Sequence, residues 1–257
     1  MKVLIVYAHM EPRSFNAALL AQAQSSFAAR GWPVQVCDLY AMNFDPVARP
    51  GDFKARANPD FMSYDKEQRA AWASKSFADD IAAEIEKLIW CDLLILQFPL
   101  WWFSVPAILK GWIDRVLALD FAYGGGRWYD RGGLAGRRAM ISTTMAAFPQ
   151  MMAPDGINGD IDVNLWPLQN GTLAFCGFEV LNPFVANAVT YVDDAARKDI
   201  LAAYARRLAT VDTEAPRQFH RRDDFDRQWK LKPGVTPRTV GHFFAGLAPE
   251  VLVDLKK

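Results

Sequence analysis

The chain is poor in the residues on which disulfide and metal chemistry depend. Its three cysteines, Cys37, Cys91 and Cys176, are odd in number and far apart, and its three histidines, His9, His220 and His242, form no zinc spacing with them. With no CxxC pair, free thiols in a reducing cytoplasm are expected, and no metal site. An excess of one charge is also missing. The 29 basic side chains balance 29 acidic ones without a long basic run, so nothing points to a nucleic-acid partner. The N-terminus runs directly into a strand-like segment with no cleavage-site pattern after it, which argues against a signal peptide. The longest uncharged stretch, residues 93–109, is short for a membrane span and holds Pro99 and Pro106, so no span is expected. Neither GxGxxG nor GxxxxGK[ST] follows the first strand, which excludes a Rossmann fingerprint and a P-loop.

What is present is an alternation of short apolar runs and helical patterns over 257 residues, half of them hydrophobic. Residues 3–7 are continuous and β-branched, as a strand buried on both faces should be. Phe15, Leu19, Ala23 and Phe27 then recur on one helical face, and Gly31 and Pro33 close that helix. Further strands are expected at 34–37, 93–97, 138–144 and 179–184, and further helices after a Ser76 cap, after Pro106, over 163–175 and over 193–208. Residues 41–76, with Pro46, Pro50 and Pro59, read as a long irregular insertion with a functional or subunit-contact role. The order implies an α/β fold: a flavodoxin-like, doubly wound, five-stranded parallel sheet in the order 2-1-3-4-5, with helices on both faces. The domain is expected to span 1–210, followed by a polar C-terminal extension over 211–257.

In such sheets ligands bind beyond the carboxyl ends of the strands. Four loops qualify: residues 9–16, 99–104 and 143–149, and the turn after the second strand. Ser14 and Asn16 stand at a helix N-terminus, where they serve either as an ordinary cap or as phosphate ligands. His9 is either structural or a donor to a phosphate oxygen. Trp101, Trp102 and Phe103 are consecutive at a strand end. Three adjacent rings do not all face one core, so at least one should line the cleft and stack on a flat ring. Thr143 and Thr144 are strand-end threonines or donors to a ring edge. Tyr123 beside three glycines suits a pocket wall or a plain loop. A flat ring, a phosphate-friendly helix end and no metal ligands together suggest a flavin, which brings its own redox chemistry.

At these residues the sequence resembles the NAD(P)H:quinone oxidoreductases of the DT-diaphorase type. The matching text includes AHMEPRSFN (8–16), DLYAMNFDP (38–46), LQFPLWWFSVPAILKGWIDRV (96–116), FAYGGG (121–126), GINGDI (156–161) and LWPLQNGTLAFCGFEVLNP (165–183), with a weaker echo in VGHFFAGLAP (240–249). The resemblance implies bound FAD, NADH or NADPH as co-substrate, a quinone or similar acceptor and ping-pong hydride transfer. It also implies a homodimer with active sites at the subunit interface, where the C-terminal extension is expected to pack. Carried over by position, His9, Phe15, Asn16 and Arg197 should help to hold the phosphates and adenosine of FAD. Leu100, Trp101, Trp102, Phe103, Thr144, Met145, Ala146 and Ala147 should surround its ring, and Tyr123 should border the substrate.

The chain departs from the family at the tyrosine and histidine that relay charge near the flavin. Met152 (or Met151) and Asn158 stand there, Gly125 replaces a pocket tyrosine, and the paired glycines of the flavin loop are replaced within 145–147. Methionine cannot relay a proton, and asparagine donates a hydrogen bond without titrating. Asn158 and backbone N–H groups are therefore expected to stabilise reduced flavin. Competing readings are an azo- or nitro-compound reductase and a regulatory flavoprotein subunit of a potassium-efflux system. A one-electron flavodoxin carrier fits poorly with a long, neutral chain.

Overall fold

A computed structural model describes residues 1–238. Strands β1 (Val3–Tyr7), β2 (Val34–Asp38), β3 (Leu93–Pro99), β4 (Arg138–Thr144), β5 (Glu179–Val180) and β6 (Phe184–Ala186) form one parallel sheet. The order is β2-β1-β3-β4-β5, with β6 also paired to β4. This is the flavodoxin-like α/β order expected from the sequence, with one refinement. The single strand expected over 179–184 is two short ones, because Pro183 has no N–H for a ladder and the chain steps between them.

Strand residues alternate between two cores, as the two-residue period of a strand requires. Val3, Ile5, Leu93, Ile95 and Met140 face α1 (Phe15–Ala29) and α6 (Asp194–Leu208). Leu4, Val6, Leu94 and Leu96 face α3 (Asp79–Trp90) and α4 (Ala107–Val116). Helix α1 buries Leu19, Ala23 and Phe27, as its spacing predicts. It stops where Gly31 takes a positive φ of 67°, a conformation in which a Cβ costs energy. Helix α5 (Ile161–Leu168) runs on through a π-helical turn over Gln169–Ala174, close to the helix expected over 163–175.

Two expectations for the insertion need correction. Residues 41–76 are not irregular throughout, since α2 (Tyr64–Ser74) lies within them. Nor does Ser76 cap α3. The cap is Ala78, and Phe77 is drawn into an antiparallel bridge with Phe53, so the chain is still extended where the local signal calls for a helix. The insertion is anchored to α4. Gly111 passes so close to Pro46 that a Cβ would lie 2.2 Å from the Pro46 carbonyl oxygen. Arg115 and Asp52, both buried, pair at 2.9 Å, and Tyr64 donates to the same carboxylate at 2.6 Å.

The start of the extension folds against the sheet. Val211 is fully buried, and the Arg138 guanidinium donates to the carbonyls of Val211 and Glu214. Arg217 makes a two-pronged ion pair with Asp162, 2.8 Å on each prong. The match over 240–249, His242 and the end of the extension lie outside the described residues.

Candidate flavin site

Strands β1, β3 and β4 deliver their carboxyl ends to one rim, and a cavity of about 720 Å³ opens there. The structure brings together ten of the residues expected at the site. His9, Ser14, Phe15 and Asn16 come from the loop after β1. Leu100 and Trp101 follow β3, Thr144, Met145 and Ala146 close β4, and Arg197 reaches in from α6.

The phosphate-friendly end is the N-terminus of α1. Ser14 is its cap, with its hydroxyl accepting from Ala17 N–H at 3.1 Å, so the capping role is filled. Ala17 and Ala18 N–H are bonded to Ser14, which leaves the Phe15 and Asn16 N–H groups, at the positive end of the helix dipole, for an anion. His9 Nδ1 accepts from Glu11 N–H at 3.2 Å. In the neutral ring the hydrogen then sits on Nε2, which makes that nitrogen a donor. Asn16 is buried, and its Nδ2 donates to Thr144 Oγ1 at 2.7 Å.

The aromatic end is a tight turn. Trp101 and Ser104 exchange both backbone hydrogen bonds at 3.0 Å, and Trp102 and Phe103 between them have φ of 50° and 59°. Positive φ at both central residues is the signature of a type I′ turn, normally built from glycine, asparagine or aspartate. Here it carries two large aromatics, and Trp102 is 94% exposed. None of the three rings is core, in line with the sequence argument. Trp101 lines the cavity and lies 6.4 Å from the His9 ring.

Five expected residues lie off this cavity: Trp102, Phe103, Ala147, Tyr123 and Asn158. Tyr123 packs on Phe175 at 5.4 Å. Asn158 directs its Nδ2 to the Met152 sulfur at 3.5 Å, so the two positions that depart from the family's relay pair touch one another. The turn after β2, the fourth loop selected by the sheet rule, borders a separate hollow that includes Tyr7, Asp38 and Tyr40. Sequence reasoning missed Arg13, Val189 and Thr190, all on the cavity wall. A basic residue in the helix-start loop was a usable signal for Arg13. Val189 and Thr190 follow β6, of which only Phe184 falls within the fifth strand expected from the sequence.

All three cysteines are buried and free. Burial pushes the Cys91 and Cys176 thiols up to about 12 and raises Cys37 as well, so none is a thiolate nucleophile at neutral pH. Among the described residues no group of three His, Cys, Asp or Glu side chains is placed to hold a metal, and no helix is long and apolar enough to cross a membrane.

Comparison with known proteins agrees with this architecture. A family model described as a flavodoxin-like fold matches residues 1–211. A ribosyldihydronicotinamide dehydrogenase [quinone] from Pongo abelii is 48% identical over 216 residues, 84% of this chain and 94% of that protein. NAD(P)H dehydrogenase [quinone] 1 from Cavia porcellus is 40% identical over 226 residues, 88% of this chain and 82% of that protein. A Klebsiella pneumoniae structure designated a candidate quinone reductase superposes with a TM-score of 0.88 at 42% identity, covering 92% of this chain and 96% of that one.

Proposed function

Because the chain belongs to the flavodoxin-like family of NAD(P)H:quinone oxidoreductases, we propose that it is an FAD-dependent enzyme that reduces quinones by two electrons in a ping-pong cycle. The observation that carries this reading is the cavity itself. Its wall carries both an anion-binding helix end with His9 and Arg197 and the ring-contacting groups Leu100, Trp101 and Thr144. A dinucleotide needs both. The residues fit on a further count. Asn16 Oδ1 is buried without a partner, an unmet acceptor of the kind a ligand hydroxyl or ring N–H completes.

When bound, the flavin supplies the hydride chemistry, accepting from NADH or NADPH and delivering to the quinone. The chain's part is to bind and orient. Backbone N–H groups at the start of α1, with Ser14, Phe15, Asn16, His9 and Arg197, would hold the phosphates and adenosine. Leu100, Trp101, Thr144, Met145 and Ala146 would contact the ring, and Trp102, Phe103 and Ala147, which lie off the cavity, would border it from the adjoining turns. Met152 and Asn158 offer no titrating group, so protons would come from water, with Asn158 contributing a hydrogen bond. Tyr123 lies off this chain's cavity, which favours a homodimer in which the tyrosine of one copy borders the substrate of the other. The extension after residue 210 would pack at that interface. The buried free thiols fit a cytoplasmic setting.

The test is initial-velocity kinetics with menadione and, as donors, NADH, NADPH and a ribosyl dihydronicotinamide. Parallel double-reciprocal lines with NADH or NADPH are expected. Intersecting lines contradict the ping-pong cycle, and oxidation of neither NADH nor NADPH contradicts the reading. An azo dye reduced far faster than any quinone would move the assignment to the azoreductase alternative.

A further inference from the structure

Along β3, Leu93 and Ile95 face the α1–α6 layer, and the next residue on that face is Gln97. Along β4 the same face reads Met140, Ser142, Thr144. The apolar stripe therefore turns polar at the carboxyl ends of both strands, where alternate residues share a face. Gln97 is fully buried, and a buried carboxamide is unfavourable unless it is bonded. Its Nε2 donates to the Asn16 main-chain carbonyl at 2.6 Å. A carbonyl only accepts, so the amide orientation follows from chemistry. Asn16 in turn donates from Nδ2 to Thr144 Oγ1 at 2.7 Å. One line of hydrogen bonds thus runs from β3 through the first turn of α1 to the end of β4. It joins the turn expected to meet phosphate to the strand end expected to meet the ring. Because Thr144 Oγ1 accepts from Asn16, the threonine's own hydrogen is left for the cavity that Thr144 lines. Gln97 itself does not line the cavity.

We propose that Gln97 is a positioning residue for the flavin. By holding the Asn16 carbonyl it sets Asn16 against Thr144 and leaves the Thr144 hydroxyl to donate to an acceptor atom of the ring. The proposal rests on the flavin reading above and gives it a polarity: the ring atom next to Thr144 is an acceptor.

The experiment compares the full-length protein, loaded with FAD, with its Gln97→Leu, Thr144→Val and doubly substituted forms. FAD affinity is read by fluorescence titration and the visible band of the bound flavin by absorption. Gln97→Met keeps the length of the side chain but cannot donate to a carbonyl, and it serves if the leucine variant fails to fold. Gln97→Leu or Gln97→Met is expected to weaken FAD about tenfold, the size of one lost hydrogen bond, and to shift the flavin band in the same direction as Thr144→Val. The double variant is expected to lose no more than Thr144→Val alone. Unchanged affinity and spectrum with only a lower melting temperature would make Gln97 a purely structural residue and overturn the proposal, as would full additivity in the double variant. A wild-type protein that takes up no flavin overturns the functional reading as well, so the two failures are distinguishable.

Discussion

The insertion over 41–76 and the rim formed by β1, β3 and β4 both bury polar side chains, but they treat them differently. In the insertion, Asp52 is held by Arg115 and Tyr64. Glu67 accepts from the N–H groups of Ala57 and Asn58, and Gln68 bonds the Asp114 carbonyl and the Leu119 N–H. At the rim, Asn16 Oδ1, Gln97 Oε1 and Thr143 Oγ1 are buried without partners, and a type I′ turn carries a tryptophan and a phenylalanine at positive φ. Buried polar groups are normally satisfied, and those that are not call for an explanation. Strained backbone persists where the surrounding structure gains from it. The insertion therefore acts as scaffold, with its polar groups completed inside the chain. At the rim, Asn16 Oδ1 has no partner within the chain, and under the proposed function the bound flavin would complete it.

That contrast is open to direct attack, most severely at Asp52. Asp52→Ala takes two hydrogen bonds from the buried Arg115 and the acceptor from Tyr64, leaving Asp80 as the remaining ionic partner of Arg115, and should cost about 3 kcal/mol in denaturant unfolding. A loss under 1 kcal/mol would mean that the pair is not the anchor. The rim should behave in the opposite way. Asn16→Ala should weaken FAD at least about tenfold, roughly 1.4 kcal/mol, with a smaller change in the unfolding of the flavin-free protein. Equal losses in both measurements would make Asn16 scaffold. Trp102→Gly relieves one positive φ and should stabilise the flavin-free protein by about 0.5–1 kcal/mol while weakening FAD. A lower melting temperature would instead mark Trp102 as a packing residue.

The smallest effect is at Glu67. Hydrogen bonding from the Ala57 N–H, followed by that from Asn58 and the charge of Arg56, holds this carboxyl below its ordinary range. A depressed folded value gives stability that is complete above the unfolded pKa near about 4.3 and is lost as pH falls through the folded value. Glu67→Gln should therefore flatten the acid limb of the stability–pH curve below about pH 5. An unchanged acid limb would contradict the assigned hydrogen bonds.

The fold was legible where the local pattern and the tertiary demand agree. The β-branched run of β1, the four-residue spacing of α1 and the apolar run of β3 each allow one reading. Legibility failed where long-range packing overrides a local signal. Ser76 looks like a cap, but Phe77 is taken by Phe53. Helix α2, YDKEQRAAWAS, is mostly polar and buries only Glu67, Gln68 and Ala71, so the three prolines before it dominated. Much of the rim could be read because chemistry collects at strand ends, and His9, Asn16, Trp101 and Thr144 all stand there. The positive φ of Trp102 and Phe103 could not be read, since nothing in two aromatic residues signals a turn reserved for glycine or asparagine. Gln97 was hidden too. Within LLILQFP a single glutamine looks like a fault in an apolar strand, and only the approach of the Asn16 carbonyl gives it a partner.

The account stands on the cavity being a dinucleotide site. Its most direct test is to purify the full-length protein, release the bound chromophore and identify it by chromatography, adding FAD and FMN to any protein that emerges colourless. The account predicts FAD, one per chain, retained or readily taken up in preference to FMN. FMN as the bound species, or a protein that takes up neither flavin, would contradict it.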